Sequence, residues 1–370
     1  MANVVPPSTE PIIRWSHVSH RFQRSARPAL SDISLDIGRG EFFAVIGGAG
    51  SGKSVLAQLT AGMFAPSTGT ITIAGVATTH NHPAIQQQTN YLPQVAASPP
   101  FLTVLDLITT SGTLRGMPKR EARSAAQDLL ERAHVSELAR NRFSTITTAQ
   151  QQVVRCCSAF MGYPHLLILD EPTAHMDPTQ RRWLWDLLKR LHVETGVSIM
   201  VTSQDIAEVE RYASMVMLLN HGTVIALGTP TVLKEKFAPG PRMDVRLKPT
   251  TQVSAEMRRK LQAIGTLTEP EPQMIVLYPN ASAIGSLAKS VPIPVPVKAK
   301  KTAKVGATTV TTSPSDLTAD SWLLDSQPLP GSLGQTVEDI FAIIGRQQIV
   351  EFWFSPPTLT DVYLGFAKGN

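Results

Sequence analysis

No stretch of this chain is apolar for long enough to span a membrane. Uninterrupted apolar runs such as Leu166-Leu167-Ile168-Leu169 fall far short of the ~18 residues a span requires. The first residues, Met1-Ala-Asn-Val-Val-Pro-Pro, lack a basic patch followed by an apolar core, so no secretory signal is expected. Cysteine is scarce too. Cys156 and Cys157 are adjacent, which disfavours a disulfide and leaves no metal-site spacing. They read as small apolar helix residues, with a redox role as the minor alternative. These absences together predict a cytosolic protein. Neither sign of charge dominates strongly: the formal net charge is +5 and the pI about 9.2. That mild excess suits acidic lipid or nucleic acid without choosing between them. At 370 residues there is room for two domains and a sizeable core.

What is present most clearly is a phosphate-binding pattern. Gly47, Gly48, Ala49, Gly50, Ser51, Gly52, Lys53 and Ser54 read G-x-x-x-x-G-K-S directly after the apolar run Phe42-Phe43-Ala44-Val45-Ile46. The glycines let successive backbone N–H groups curl around phosphate oxygens where a Cβ would obstruct them. A helix opening at Lys53 adds the positive end of its dipole. Lys53 is then placed to reach the β- and γ-phosphates of a nucleoside triphosphate, and the Ser54 hydroxyl to ligate Mg²⁺.

From Ile12 to Phe237 strand-like and helical patterns alternate, which predicts an α/β domain with a largely parallel sheet. Ser34-Leu35-Asp36-Ile37 reads instead as part of an antiparallel side sheet. Residues 1–11 form a polar leader expected to be disordered. Residues 238–288 and 332–370 are expected to form a small α+β domain, with strands at Met243–Leu247, Met274–Tyr278 and Ile349–Phe354. Its helices are expected at Ala255–Ile264, around Val337–Ile344, and from Leu359 onward. Between its halves lies a Pro/Lys/Thr-rich insert, 289–331, read as a disordered segment or as a contact for membrane or partner.

Leu166-Leu167-Ile168-Leu169-Asp170-Glu171 reads as a buried strand ending in two carboxylates. On its own such an ending also suits a helix N-cap. Behind a phosphate loop, Asp170 is placed to hold Mg²⁺ and Glu171 to polarise the water that attacks the γ-phosphate.

The order of GGAGSGKS, YLPQ (Tyr91–Gln94), LLILDEPTAHMD (Leu166–Asp177) and NHGTVIALGTP (Asn220–Pro230) resembles the ATP-binding cassette family of transporter ATPases. The final segment, Pro357-Thr358-Leu359-Thr360-Asp361-Val362-Tyr363-Leu364, is similar to the C-terminal extension of exporter ATPases handling drugs, polysaccharides or lipids. The resemblance implies a P-loop NTPase fold: a RecA-like core, an antiparallel β side sheet and a helical subdomain. It implies ATP and Mg²⁺ as cofactors, with no nucleic acid as partner. It further implies a separate transmembrane permease and a second cassette, with the chain peripheral on the inner face of the cell membrane. Phe22 would stack on adenine, although it also suits a core position. Gln94 would touch Mg²⁺ or the attacking water, and Asp177 would lie at the dimer interface.

Two positions depart from the family. Its signature L-S-G-G-Q aligns with Ile146-Thr147-Thr148-Ala149-Gln150, where Thr147 keeps a hydroxyl but Thr148 and Ala149 replace two glycines. Their Cβ atoms obstruct close approach to an opposing ATP, the β-branched Thr148 more so. Its switch histidine aligns with Gln204, which can donate a hydrogen bond but never carries charge. A register one residue earlier would put Ser203 there. In this family two cassettes close head-to-tail, so Thr147 and Gln150 would serve the ATP held by the partner. A heterodimer with a more complete cassette and slow turnover is therefore expected, with a homodimer as the alternative. The competing expectation is a cassette that binds ATP without hydrolysing it.

Overall fold

The computed structural model describes residues 10–23, 25–78, 83–95, 98–174, 176–237, 242–279 and 331–368. Residues 1–9 of the expected leader and 289–330 of the expected insert lie outside them. The chain divides into two compact units, Met1–Leu233 and Lys234–Asn370.

The first unit opens with β1 (Ile13–His20), β2 (Leu30–Ile37), β3 (Phe42–Ile46), α1 (Lys53–Thr60), β4 (Thr68–Ile73) and β5 (Val76–Ala77). It continues with α2 (Pro83–Gln88), β6 (Thr89–Leu92), α3 (Val104–Leu114), α4 (Lys119–Arg132) and α5 (Thr148–Phe160). Then follow β7 (Leu166–Asp170), α6 (Pro178–Thr195), β8 (Ser198–Ser203), α7 (Ile206–Tyr212), β9 (Met215–Asn220), β10 (Thr223–Gly228) and α8 (Pro230–Phe237).

Two sheets form this unit. One has the order β2-β1-β4-β5 and is antiparallel. The alternation of Leu30, Ile33 and Ile37 inward with polar residues outward gives β2 the single buried face such a sheet needs. The other sheet has the order β10-β9-β3-β8-β7-β6, parallel from β9 to β6. Its central strands β3, β7 and β8 are buried at every residue, which explains their near-continuous apolar sequences. Helix α6 presents Leu184, Trp185, Leu188 and Leu191 as a buried stripe at helical spacing. In α5, Val153, Cys156, Cys157 and Phe160 make the buried face. Both cysteines are free thiols in the core.

The second unit contains β11 (Arg242–Leu247), α9 (Ala255–Ile264), β12 (Gly265–Glu271), β13 (Met274–Pro279), α10 (Gly331–Ile344), β14 (Ile349–Ser355) and α11 (Leu359–Lys368). The sheet order β12-β13-β11-β14, antiparallel throughout, makes this a β-α-β-β-α-β split arrangement. Leu261 of α9 and Val337, Ile340, Phe341 and Ile344 of α10 bury one sheet face together with Met243, Val245, Ile275 and Leu277. β12 was not foreseen, because it begins at a glycine and contains Pro270 near its end. A buried polar cluster also forms. Arg242 donates to Asp244 at 2.7 Å and to Asp361 at 3.4 Å, and the Tyr278 hydroxyl donates to Asp361.

Candidate nucleotide-binding site

The carboxyl ends of β3, β8, β7 and β6, adjacent in the sheet, carry four segments singled out from the sequence. The phosphate loop follows β3, Asp170 and Glu171 end β7, Gln204 follows β8 and Gln94 follows β6. Ligands of open α/β sheets bind at that edge.

The loop geometry fits an anion. The N-cap of α1 is Gly52, at φ 105°, and no side chain caps the helix. A Cβ at Gly52 would lie 2.6 Å from the Ala29 carbonyl oxygen, and one at Gly47 would lie 2.3 Å from that of Leu219. Glycine is therefore required at both positions by close backbone approach, and at Gly52 also by its left-handed φ. The uncapped first turn leaves backbone N–H groups to meet a phosphate. Ser51 Oγ is buried without a hydrogen-bond partner among the described residues, a polar atom that a bound phosphate would satisfy.

Lys53 is 5% exposed and its ammonium donates to the carbonyls of Gly47 at 2.8 Å and Gly48 at 3.0 Å. It also lies 3.4 Å from Glu171 Oε1. That carboxylate oxygen is buried and has no hydrogen-bond partner among the described residues. Glu171 has φ 48°, an uncommon conformation for a residue bearing a side chain. Its backbone N–H donates to Thr202 Oγ1 at 3.0 Å, and its Oε2 accepts the backbone N–H of Gln204 at 3.2 Å. The Thr202 hydroxyl in turn donates to Asp170 Oδ1 at 2.5 Å, and Ser54 Oγ donates to the same oxygen at 3.0 Å. The structure thus brings Lys53, Ser54, Asp170, Glu171 and Gln204 into one connected cluster.

Thr202 escaped the sequence reading. Its signal was a polar side chain in the otherwise apolar run Ile199-Met200-Val201, and it is fully buried. Tyr91 was seen only as part of YLPQ. Burial first, then the nearby Asp170 carboxylate, raises its phenol far above the ordinary range.

Ser203 is buried, and its hydroxyl accepts the Asp205 backbone N–H at 3.0 Å, while the Gln204 side chain is exposed. Of the two registers weighed for the switch position, Gln204 is the one with a side chain free of the core. Gln94 is exposed on the bend after β6. Phe22 is 47% exposed and meets His20 edge-on at 4.8 Å. The connection that carries it returns at Ala29, against Gly52.

Thr147 and Gln150 stand apart from this cluster. They form a capping box at the start of α5: Gln150 N–H donates to Thr147 Oγ1 at 3.3 Å and Thr147 N–H to Gln150 Oε1 at 2.9 Å. Thr148 is exposed on the first turn. Asp177 caps α6 through Thr179 and Gln180, the role its Asp-Pro sequence offers without any partner chain.

For a metal, the cluster offers the Asp170 carboxylate and the Ser54 hydroxyl, with Gln94 on the neighbouring strand end. So few oxygen donors suit Mg²⁺, which retains waters and substrate phosphates in its shell. Among the described residues no group of three or more His, Cys, Asp or Glu could hold a metal ion. No helix among them is long and apolar enough to cross a membrane.

The ABC transporter family model matches residues 30–174. The linearmycin resistance ATP-binding protein LnrL of Bacillus subtilis is 31% identical over 54% of this chain and 64% of its own length. An energy-coupling factor transporter ATP-binding protein of Lacticaseibacillus paracasei is 30% identical over 60% of this chain and 80% of its own. The Nod factor export ATP-binding protein I of Bradyrhizobium diazoefficiens is 31% identical over 55% and 66%. The chain thus spans just under two thirds of the first and third of these relatives. Among solved structures, cbiO1 from Clostridium perfringens, part of the ABC transporter complex cbiONQ, covers 61% of this chain and 92% of its own at 25% identity and TM-score 0.55. A dimeric ATP-binding cassette in a post-hydrolysis state with ADP and Pi shares the fold, at 23% identity, coverage of 59% and 98%, and TM-score 0.54. With its phosphate loop, paired carboxylates and these likenesses, the chain belongs to the ABC transporter family and carries that family's P-loop ATPase cassette.

Proposed function

We propose that this chain is the ATP-hydrolysing subunit of an export transporter. It works on the inner face of the membrane with a separate permease and a second cassette that has a complete signature. The observation that carries this reading is the intact cluster of Lys53, Ser54, Asp170 and Glu171 beside altered signature and switch positions. Lys53 and the α1 amides bind and orient the triphosphate, and Phe22 stacks on the base. Ser54, Asp170 and Gln94 would hold Mg²⁺, which would supply positive charge against the negative charge of the triphosphate. Glu171 accepts a proton from the attacking water as the terminal P–O bond breaks, giving ADP and phosphate. Thr202 holds the Asp170 carboxylate and the Glu171 backbone N–H through its single hydroxyl.

Thr147 and Gln150 serve the ATP held by the partner, where the Cβ atoms of Thr148 and Ala149 limit approach. Gln204 offers an uncharged amide where a histidine would offer an imidazole. These changes favour slow turnover and a heterodimer. They also favour a second reading, a regulatory cassette that binds ATP and does not hydrolyse it. Export is supported by the second unit, whose end resembles the extension of exporter ATPases, and by relatives named for export and resistance. Steady-state ATPase of the chain co-purified with its permease tests the reading. Turnover that falls in Glu171→Gln supports catalysis here, and turnover indifferent to that change supports the regulatory alternative.

A further inference from the structure

Tyr91 stands on β6, and its phenolic hydroxyl is buried with no hydrogen-bond partner among the described residues. Most buried polar atoms are paired, so this one calls for an explanation. The strand register supplies a partner. Tyr91 lies opposite Ile168 on the parallel neighbour β7, and Asp170 follows Ile168 by two residues. Side chains alternate along a strand, so Tyr91, Ile168 and Asp170 share one face of the sheet. That face is the one packed by α1. Ile168 clusters with Leu56 and Ala57 of that helix, and Tyr91 packs against the same cluster.

Asp170 is buried and already holds two hydroxyls on one oxygen, Ser54 at 3.0 Å and Thr202 at 2.5 Å from Oδ1. These fill the two lone pairs of Oδ1, so a further donor would meet Oδ2. The Tyr91 phenol stays protonated, because burial, then the nearby Asp170 charge, raises its pKa far above the ordinary range. It is therefore a donor at every physiological pH and never a second anion beside that carboxylate. Gln58, one turn after Ser54 on α1, is a second polar side chain beside the phenol.

We propose that Tyr91 is a positioning residue of the nucleotide site, whose hydroxyl donates to Asp170 and fixes that carboxylate when Mg·ATP is bound. The proposal rests on the reading that Asp170 helps to hold Mg²⁺, and it adds a residue on which that hold depends. A buried hydroxyl without a partner costs stability in the free chain. Its use lies in the loaded state, where a charge-assisted bond to Asp170 offsets that cost.

The test titrates a fluorescent ATP analogue against the full chain, in EDTA and at increasing Mg²⁺. Tyr91→Phe should need on the order of 10-fold more Mg²⁺ for half-maximal enhancement of binding. Its affinity in EDTA should match wild type. Without nucleotide the variant should melt no lower than wild type, because the hydroxyl it loses is unpaired there. A purely structural hydroxyl would instead shift all three measurements together. Gln58→Leu should keep the wild-type Mg²⁺ dependence. Unchanged Mg²⁺ dependence in Tyr91→Phe overturns the proposal, as does weaker binding in EDTA, a lower melting temperature or a failure to fold. A Gln58→Leu variant that reproduces the Tyr91→Phe shift also overturns it, by placing the partner of the phenol on α1. If the wild-type chain binds the analogue with no Mg²⁺ dependence, the metal reading itself fails and takes the proposal with it, so the two failures are distinguishable.

Discussion

Lys53 Nζ lies 3.4 Å from Glu171 Oε1, and both side chains are more than nine-tenths buried. The cation proposed to bind phosphate therefore already faces the carboxylate proposed to polarise water. Incoming phosphates compete with Glu171 for the ammonium, so removing the Glu171 charge should strengthen nucleotide binding while it slows hydrolysis. Glu171→Gln is expected to bind ATP several-fold more tightly than wild type, since loss of an internal anion partner is worth on the order of 1 kcal/mol. Titration with a fluorescent ATP analogue checks this. Weaker binding in the variant would mean that the 3.4 Å contact does not compete with nucleotide.

Thr202 should matter through the two residues it bonds. Its hydroxyl donates to Asp170 and accepts from the Glu171 amide, and Thr202→Val keeps the volume while deleting both bonds. The buried Glu171 N–H keeps the Thr202 carbonyl as acceptor at 3.2 Å, so the fold should survive at a cost of ~1–3 kcal/mol. Turnover should fall more than ATP affinity does. A KM change with kcat unaffected would contradict the positioning role.

Much of this site was legible beforehand, for physical reasons that differ by residue. The phosphate loop announces itself because backbone approach to an anion demands glycines at fixed spacing, and Gly47 and Gly52 indeed have no room for a Cβ. Asp170 and Glu171 follow an all-apolar strand, so their place at a sheet edge was readable. Thr202 was not, because its partners lie 31 and 32 residues away and only the β7–β8 pairing brings them together. The same holds for Arg242 and Asp361, 119 residues apart and joined only by folding of the second unit. β12 was missed for a local reason, its glycine start and proline.

The Arg242 cluster gives the second unit a specific point of failure. Asp361 accepts from Arg242 and Tyr278 and also from the Thr358 backbone N–H at 2.6 Å, at the start of α11. Asp361→Ala leaves a half-buried guanidinium with one carboxylate fewer and uncaps that helix. Breaking a buried ion pair from one side costs about 3–5 kcal/mol. Hydrogen exchange across Leu359–Lys368 should accelerate in the variant, and unchanged protection there would show that the cluster does not hold α11.

Cys156 and Cys157 should be silent in the folded protein. Burial pushes both thiols up, Cys157 to about 12, and the reactive form is the thiolate. A thiol reagent at pH 8 is expected to label neither residue until the protein is denatured, and then both. Rapid labelling of the native chain would contradict the packed face of α5.

The most direct measurement is steady-state ATPase of the assembled complex with the signature and switch positions restored. Changing Thr147-Thr148-Ala149 to Ser-Gly-Gly should raise turnover in the partner's site, by reopening close approach of the α5 amides to the opposing γ-phosphate. One such transition-state contact is worth up to ~2.7–4 kcal/mol, and Thr147 already supplies part of it, so a gain on the order of 10-fold is expected. Gln204→His should separately raise turnover in this chain's own site. An increase in both variants, together with a loss in Glu171→Gln, is what a slow but working ATPase subunit predicts. Turnover unmoved by all three changes would contradict it and leave this cassette a non-hydrolytic regulator.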